Sequence, residues 1–236
     1  MHSSQLQYLP LPLPFFAILV VVFLALVLFL QLKALHFAYK KLGVSSGVAL
    51  LLLLGSLIGS MINVPVAQLP EAQIVTGQQV AFFGMRYVVP VVVDWPGTVI
   101  AINVGGAVIP CLVSLYLLWK NQQWGRNIAA TALVAAVCYW LATPVPGLGI
   151  AIPVFAPAIA AALVAFALSR GYAAPLAYVC GSMGTLIGAD LLNFGSIQGL
   201  GAPVASIGGA GTFDGIFLTG ILAVLIASLT DRSKTS

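Results

Sequence analysis

Charge is what this sequence has least of. Among 236 residues only 6% are charged, nine Lys or Arg against five Asp or Glu, while 61% are hydrophobic and the mean hydropathy is +1.11. That balance excludes an ordinary soluble domain. The net charge of +4 is scattered over short loops with no basic stripe, which excludes a nucleic-acid surface. Histidine is nearly absent: only His2 and His36 occur, and neither can reach the main cluster of carboxylates to build a Ser-His-Asp triad or a His-based zinc site. The three cysteines, Cys111, Cys138 and Cys180, lack paired spacing and read as small core residues, with no disulfide or thiolate metal site. No Walker or Rossmann motif occurs, so neither a cofactor nor a metal is expected.

What is present is long apolar runs. A span needs about 20 mainly apolar residues, and seven segments qualify, at roughly 13–35, 44–64, 98–119, 127–143, 149–169, 173–194 and 213–230. The expected fold class is therefore all-α: one polytopic membrane helix bundle of about seven transmembrane helices, a single domain over residues 1–236. The N-terminal "MHSSQLQYLPLPLP" has no basic region and no small-residue cleavage site after its apolar run, so the first segment is expected to be retained. Placing the N-terminus outside and the C-terminus inside puts Lys33, Lys40, Lys41, Lys120, Arg126, Arg170, Arg232 and Lys234 on the cytoplasmic side and leaves only Arg86 outside. The expected location is a cell membrane, with lipids as the surrounding partner; composition specifies no oligomeric state.

Two connections are long enough to carry structure. Residues 65–97 contain β-branched and aromatic residues on both sides of Phe83-Gly84, which predicts a short β-hairpin in the outer loop. "GSIQGLGAPVASIGGAG" is rich in glycine and almost uncharged, which suits a loop that approaches helix ends closely or re-enters the membrane where protein buries it. "LGSLIGS" and "CGSMGTLIG" place glycines four apart, as close helix packing requires.

Of the five acidic residues, Asp231 lies in the C-terminal tail and Glu71 in the outer loop, leaving Asp94, Asp190 and Asp214. Asp190 lies in the sixth span, where an unpaired charge at the bilayer centre costs about 2.5–3.5 kcal/mol and less towards the interface. At helical spacing it shares a face with Asn193. Asp214 opens the seventh span at the same outer side, either as a helix cap favoured by the dipole or as a partner for Asp190. Asp94, just before Pro96, reads as a cap at the start of the third span. Topology adds Asn63 and Asn103, so Asn63, Asp94, Asn103, Asp190, Asn193 and Asp214 gather on one side.

The phrases "SLIGSMINVP", "IAINVGGAVIP", "GTLIGADLLN" and "GAPVASIGGAGTFDGIFLTGILAVL" resemble a family of bacterial and archaeal multi-span membrane proteins catalogued only as a domain of unknown function. Locally, "GAGTFDGIFLTG" resembles the Gly-x-Gly-Asp motif of the intramembrane aspartyl proteases, the group of presenilin, signal peptide peptidase and prepilin peptidase. Thr212 and Phe213 stand between the glycine pair and Asp214, and Pro157-Ala158 is a loose counterpart of the group's Pro-Ala-Leu turn. The resemblance implies a catalytic pair, Asp190 and Asp214, acting on a transmembrane peptide substrate. Gly208, Gly209, Gly211, Asn193, Asn103 and Asn63 would line the substrate's path. Two other readings of the same aspartates stand beside it: proton or cation exchange in a transporter or channel, and helix capping in a non-catalytic scaffold.

Overall fold

The computed structural model describes residues 21–23, 26, 33–34, 36–38, 40–82, 85–146, 149–153, 155–197, 200–209 and 215–231. Its central element is helix α5, Ala173–Thr185, continued without a break by a π-helical segment, Leu186–Leu191. Ten residues of α5 are buried on all sides of the helix, the signature of an element with no solvent or lipid face. Three helices enclose it: α3, Trp124–Leu141, α4, Ala156–Leu168, and α6, Gly215–Asp231. Small residues let them in. A Cβ on Gly181 would meet those of Ala161 and Ala223 at 3.2 and 3.4 Å, and one on Gly184 would lie 2.7 Å from Val134. The glycine stripe read from the sequence therefore serves close packing, letting the backbones of neighbouring helices touch. Ala130, Ala161, Ala165, Ala177, Ala223 and Ala227 fill the same interface.

The remaining helices are α1, Ser46–Gly59, and α2, Ile109–Asn121, the latter preceded by a second π-helical segment, Val104–Val108. Here Gly105 is the contact point: a Cβ on it would collide with the backbone of Ser56 and Ser60, so α1 rests directly on the π turn.

The expectation of an all-α bundle of seven spans is overturned by the seven strands found among the described residues. A three-stranded mixed sheet has the order β1–β4–β7, with β1, Asn63–Gln68, antiparallel to β4, Val99–Asn103, and β4 parallel to β7, Val204–Ile207. A hairpin of β2, Ala72–Phe82, and β3, Met85–Trp95, rises between β1 and β4, and a second pairs β5, Thr143–Val145, with β6, Gly149–Ala151. The hairpin expected near Phe83-Gly84 is present, with strands of 11 residues each. The third expected span begins instead as β4, because Pro96-Gly97 turns the chain and Val99, Ile100 and Ile102 are β-branched. The fifth begins as β6, paired with β5; Pro144 lies in β5, Pro153 stands between β6 and α4, and Pro157 is in the first turn of α4. Hydropathy alone does not separate a buried strand from a helix.

Among the described residues two helices are long and apolar enough to cross a membrane, Val104–Asn121 and Ala173–Ser196. α1 and α4 have 14 and 13 residues, short of a full crossing, and the described part of α6 has 17. α3 has 18, with Arg126 and Asn127 in its first turn. Most of the first expected span lies outside the described residues.

Candidate functional site

Each of the two long helices has one end beside the same cavity, Val104–Asn121 its start and Ala173–Ser196 its last turns. Asn103 closes β4 and caps the π segment that leads into α2: its Oδ1 accepts the Gly106 amide at 2.8 Å. Its Nδ2 donates to the Ser60 carbonyl at 2.8 Å and to Asn63 Oδ1 at 3.0 Å. The register makes this unavoidable, since Asn63 and Asn103 are directly opposite across β1 and β4. Ser206 on β7 donates to the same Asn63 Oδ1 at 2.6 Å. Three strands are thus tied by one side-chain network in which Asn103 is 2% exposed, the environment in which each satisfied bond reinforces the next.

Asp190 comes from the other helix. The π segment carries it, half-buried, to β7, where its Oδ2 accepts the Gly208 amide at 2.7 Å. Gly208 has φ +85°, and a Cβ there would sit 2.6 Å from Ala107. Only glycine permits both that left-handed turn and that approach. Gly209 follows, and a Cβ on it would strike the Ser206 hydroxyl.

Between these groups lies a cavity of about 460 Å³. Asn63, Asn103, Asp190, Ser206 and Gly209 form its polar wall, with Ile197 beside them. Strands β7 and β6 line it as well, from Val204 to Ile207 and from Gly149 to Ala151, with Ile152 following. β7 is bonded to β4 on one side and β6 to β5 on one side, so each is an edge strand.

The structure therefore brings Asn63, Asn103, Asp190 and Gly209 together and sets Gly208 against Asp190. Asn193, Asp94 and Pro157 are not among the residues that line the cavity. Asn193 turns back to donate from Nδ2 to the Gly188 carbonyl at 2.9 Å. Asp94 is no helix cap; it lies in β3 opposite Gln73, whose Nε2 donates to its carboxylate at 3.1 Å on an exposed face. Pro157 is buried in the first turn of α4, where its ring suits the helix start. Gly211 and Asp214 lie outside the described residues. Ser206 and the β6 backbone were not singled out by the sequence: a serine in a glycine-rich run carries no distinguishing signal, and backbone groups carry none at all. No group of three or more His, Cys, Asp or Glu that could hold a metal occurs among the described residues.

No curated protein and no solved structure matches the chain. One family model does, over residues 57–226, which takes in α1's end, every cavity residue named above and both long helices. The chain accordingly belongs to DUF1614, a family described as protein of unknown function.

Proposed function

We propose that this chain is a membrane-embedded peptide hydrolase whose substrate enters the cavity as an extended segment, with Asp190 and Asp214 as its acidic pair. The observation that carries the reading is the lining of the cavity: two edge strands, β6 and β7, beside one half-buried carboxylate. An extended chain satisfies its amides and carbonyls by adding to such an edge, and apolar side chains such as Ile150, Ile152 and Ile207 would receive its own. One carboxylate, ionised, takes a proton from a water that attacks the peptide carbonyl; the other, protonated, delivers its proton to the leaving amine. Two carboxyl groups within a water's reach hold one proton between them because both cannot ionise together.

The membrane setting of the proposal rests on the two long helices. Val104–Asn121 has 18 residues, about 27 Å at 1.5 Å per residue, close to the hydrocarbon thickness of about 30 Å. The chain's Lys120, Arg126 and Arg170 fall at the ends of helices remote from the cavity, which makes that remote end the cytoplasmic one and the cavity outward-facing.

A second reading is favoured by the Asp190–Gly208 bond: the carboxylate serves only to pin the glycine turn against β7. One experiment separates the two. Asp190→Asn and Asp214→Asn, each tested in vesicles holding the protein and a co-reconstituted single-span peptide, are expected to abolish cleavage while a peptide crosslinked at Ser206→Cys still binds. Cleavage at the wild-type rate in either variant would refute the hydrolase reading. Loss of folding in Asp190→Asn, with Asp214→Asn neutral, would leave the pinning role alone.

A further inference from the structure

The second cavity is at the other end of the same helices. It measures about 380 Å³, against about 30 Å³ for one water molecule in the liquid, and three cations line it: Lys41, Lys120 and Arg170. They come from three separate places. Lys41 ends the helical run before the Leu42-Gly43 turn, Lys120 is in the last turn of α2, and Arg170 is in the turn between α4 and α5. No carboxylate is among the described residues that line the cavity.

Each cation is positioned by its surroundings. Lys120 donates to the Gly43 carbonyl at 2.6 Å, which ties α2 to the Leu42-Gly43 turn. The charged groups lie over aromatic faces, with Lys120 Nζ 5.5 Å from the centre of the Tyr116 ring, Arg170 Cζ 5.1 Å from that of Phe166 and Lys41 Nζ 5.7 Å from that of Phe37. A ring face holds a cation by its quadrupole without neutralising it.

The floor of the cavity is the start of α5. Tyr172 precedes it, and Ala173, Ala174 and Pro175 line the cavity. The amides of Ala173 and Ala174 are in the first turn, where no carbonyl lies one turn back to receive them, and the dipole of the helix adds partial positive charge. Burial pushes the Tyr172 phenol up from its ordinary value, so it adds no negative charge at neutral pH. Like charges gathered from three chain segments repel one another, and nothing among the described lining residues offsets them; an anion would.

We infer that this cavity is a binding site for a phosphate-bearing anion, held by Lys41, Lys120, Arg170 and the first-turn amides of α5. The ligand is either the headgroup of an anionic phospholipid or a free phosphate. Both offer the same oxyanion to a guanidinium fork and two ammonium groups. The site is independent of the cavity at Asp190 and stands whether or not peptide hydrolysis occurs there.

The test uses the delipidated full-length protein in neutral detergent, with thermal unfolding followed by tryptophan fluorescence. One arm titrates phosphatidylglycerol against phosphatidylcholine in mixed micelles; the other titrates inorganic phosphate against chloride at matched ionic strength. A ligand bound only by the folded state raises the melting temperature in proportion to its occupancy. Expected is a rise in at least one arm, with the half-maximal concentration about tenfold higher in Lys41→Gln and in Arg170→Gln. Arg170→Lys, which keeps the charge, retains most of the response. Arg126→Gln removes a cation outside the cavity and is expected to match wild type. A response to phosphatidylglycerol alone identifies the lipid headgroup, and a response to phosphate as well identifies a soluble oxyanion. No rise in either arm, an undiminished rise in the two Gln variants, or an equal weakening in Arg126→Gln overturns the inference.

Discussion

Asn103 shows how much one buried amide can organise. It accepts one backbone bond and donates two more, joining β4, the Ser60 turn and Asn63. Asn103→Ala strands the Ser60 carbonyl and the Gly106 amide, and leaving a buried polar group unpaired costs about 1–3 kcal/mol. The expected result is a lower melting temperature by about 2–4 °C for each kcal/mol lost, measured by tryptophan fluorescence in detergent. Gly208→Ala is expected to be as damaging, since overpacking costs about 1–3 kcal/mol and the φ of +85° adds strain. It would also displace the amide that Asp190 accepts. A melting temperature equal to wild type would contradict the assigned turn. Asn63, Asn103 and Asp190 were legible in the sequence because polar side chains are costly in apolar surroundings and so have a reason to be there. Asn193 was misread because its pairing with Asp190 assumed the α-helical period, whereas the π turn and the helix end intervene.

At the level of elements, the position of several helices was legible, whereas the count of seven spans and most of the strands were not. α3, and α5 taken with its π-helical continuation, fall within a few residues of where apolar runs placed them. β4, β6 and β7 are also apolar and bounded by Gly or Pro, and a short apolar run reads equally well as either element. The β2–β3 hairpin is different: it was visible because its β-branched residues flank a turn signal. Its strands pack chiefly on each other, and Met85, Val88 and Val92 are about 59–68% exposed, so the hairpin adds little to the helical core. Replacing residues 72–95 with a short Gly-Ser linker is therefore expected to leave helical circular dichroism and the melting temperature nearly unchanged. A protein that no longer folds would show that the hairpin braces the sheet by holding β1 and β4 in register.

Across the whole molecule, the two cavities divide polar chemistry between opposite ends of the same two helices: Asn and Asp at one, Lys and Arg at the other. In a cysteine-free background, Val66→Cys and Gly125→Cys mark these ends; Val66 is exposed on β1 and a Cβ on Gly125 meets nothing within 4 Å. A membrane-impermeant maleimide is expected to label the first from outside intact cells and the second only after permeabilisation. Labelling of both from one side would refute the proposed orientation. The π turns give this arrangement one more property. Both long helices carry one, and both carry it at the Asp190 end, with the Leu192 amide reaching five residues back to Ile187 at 2.9 Å. Each holds one residue more than α-helical winding needs. Expelling that residue would swivel everything beyond it by about 100°, the angle of a single step around the helix axis. Deleting Ile187 is thus expected to dial Asp190 away from Gly208 while leaving α5 seated among its neighbours. The joint lies where a carboxylate meets a glycine turn.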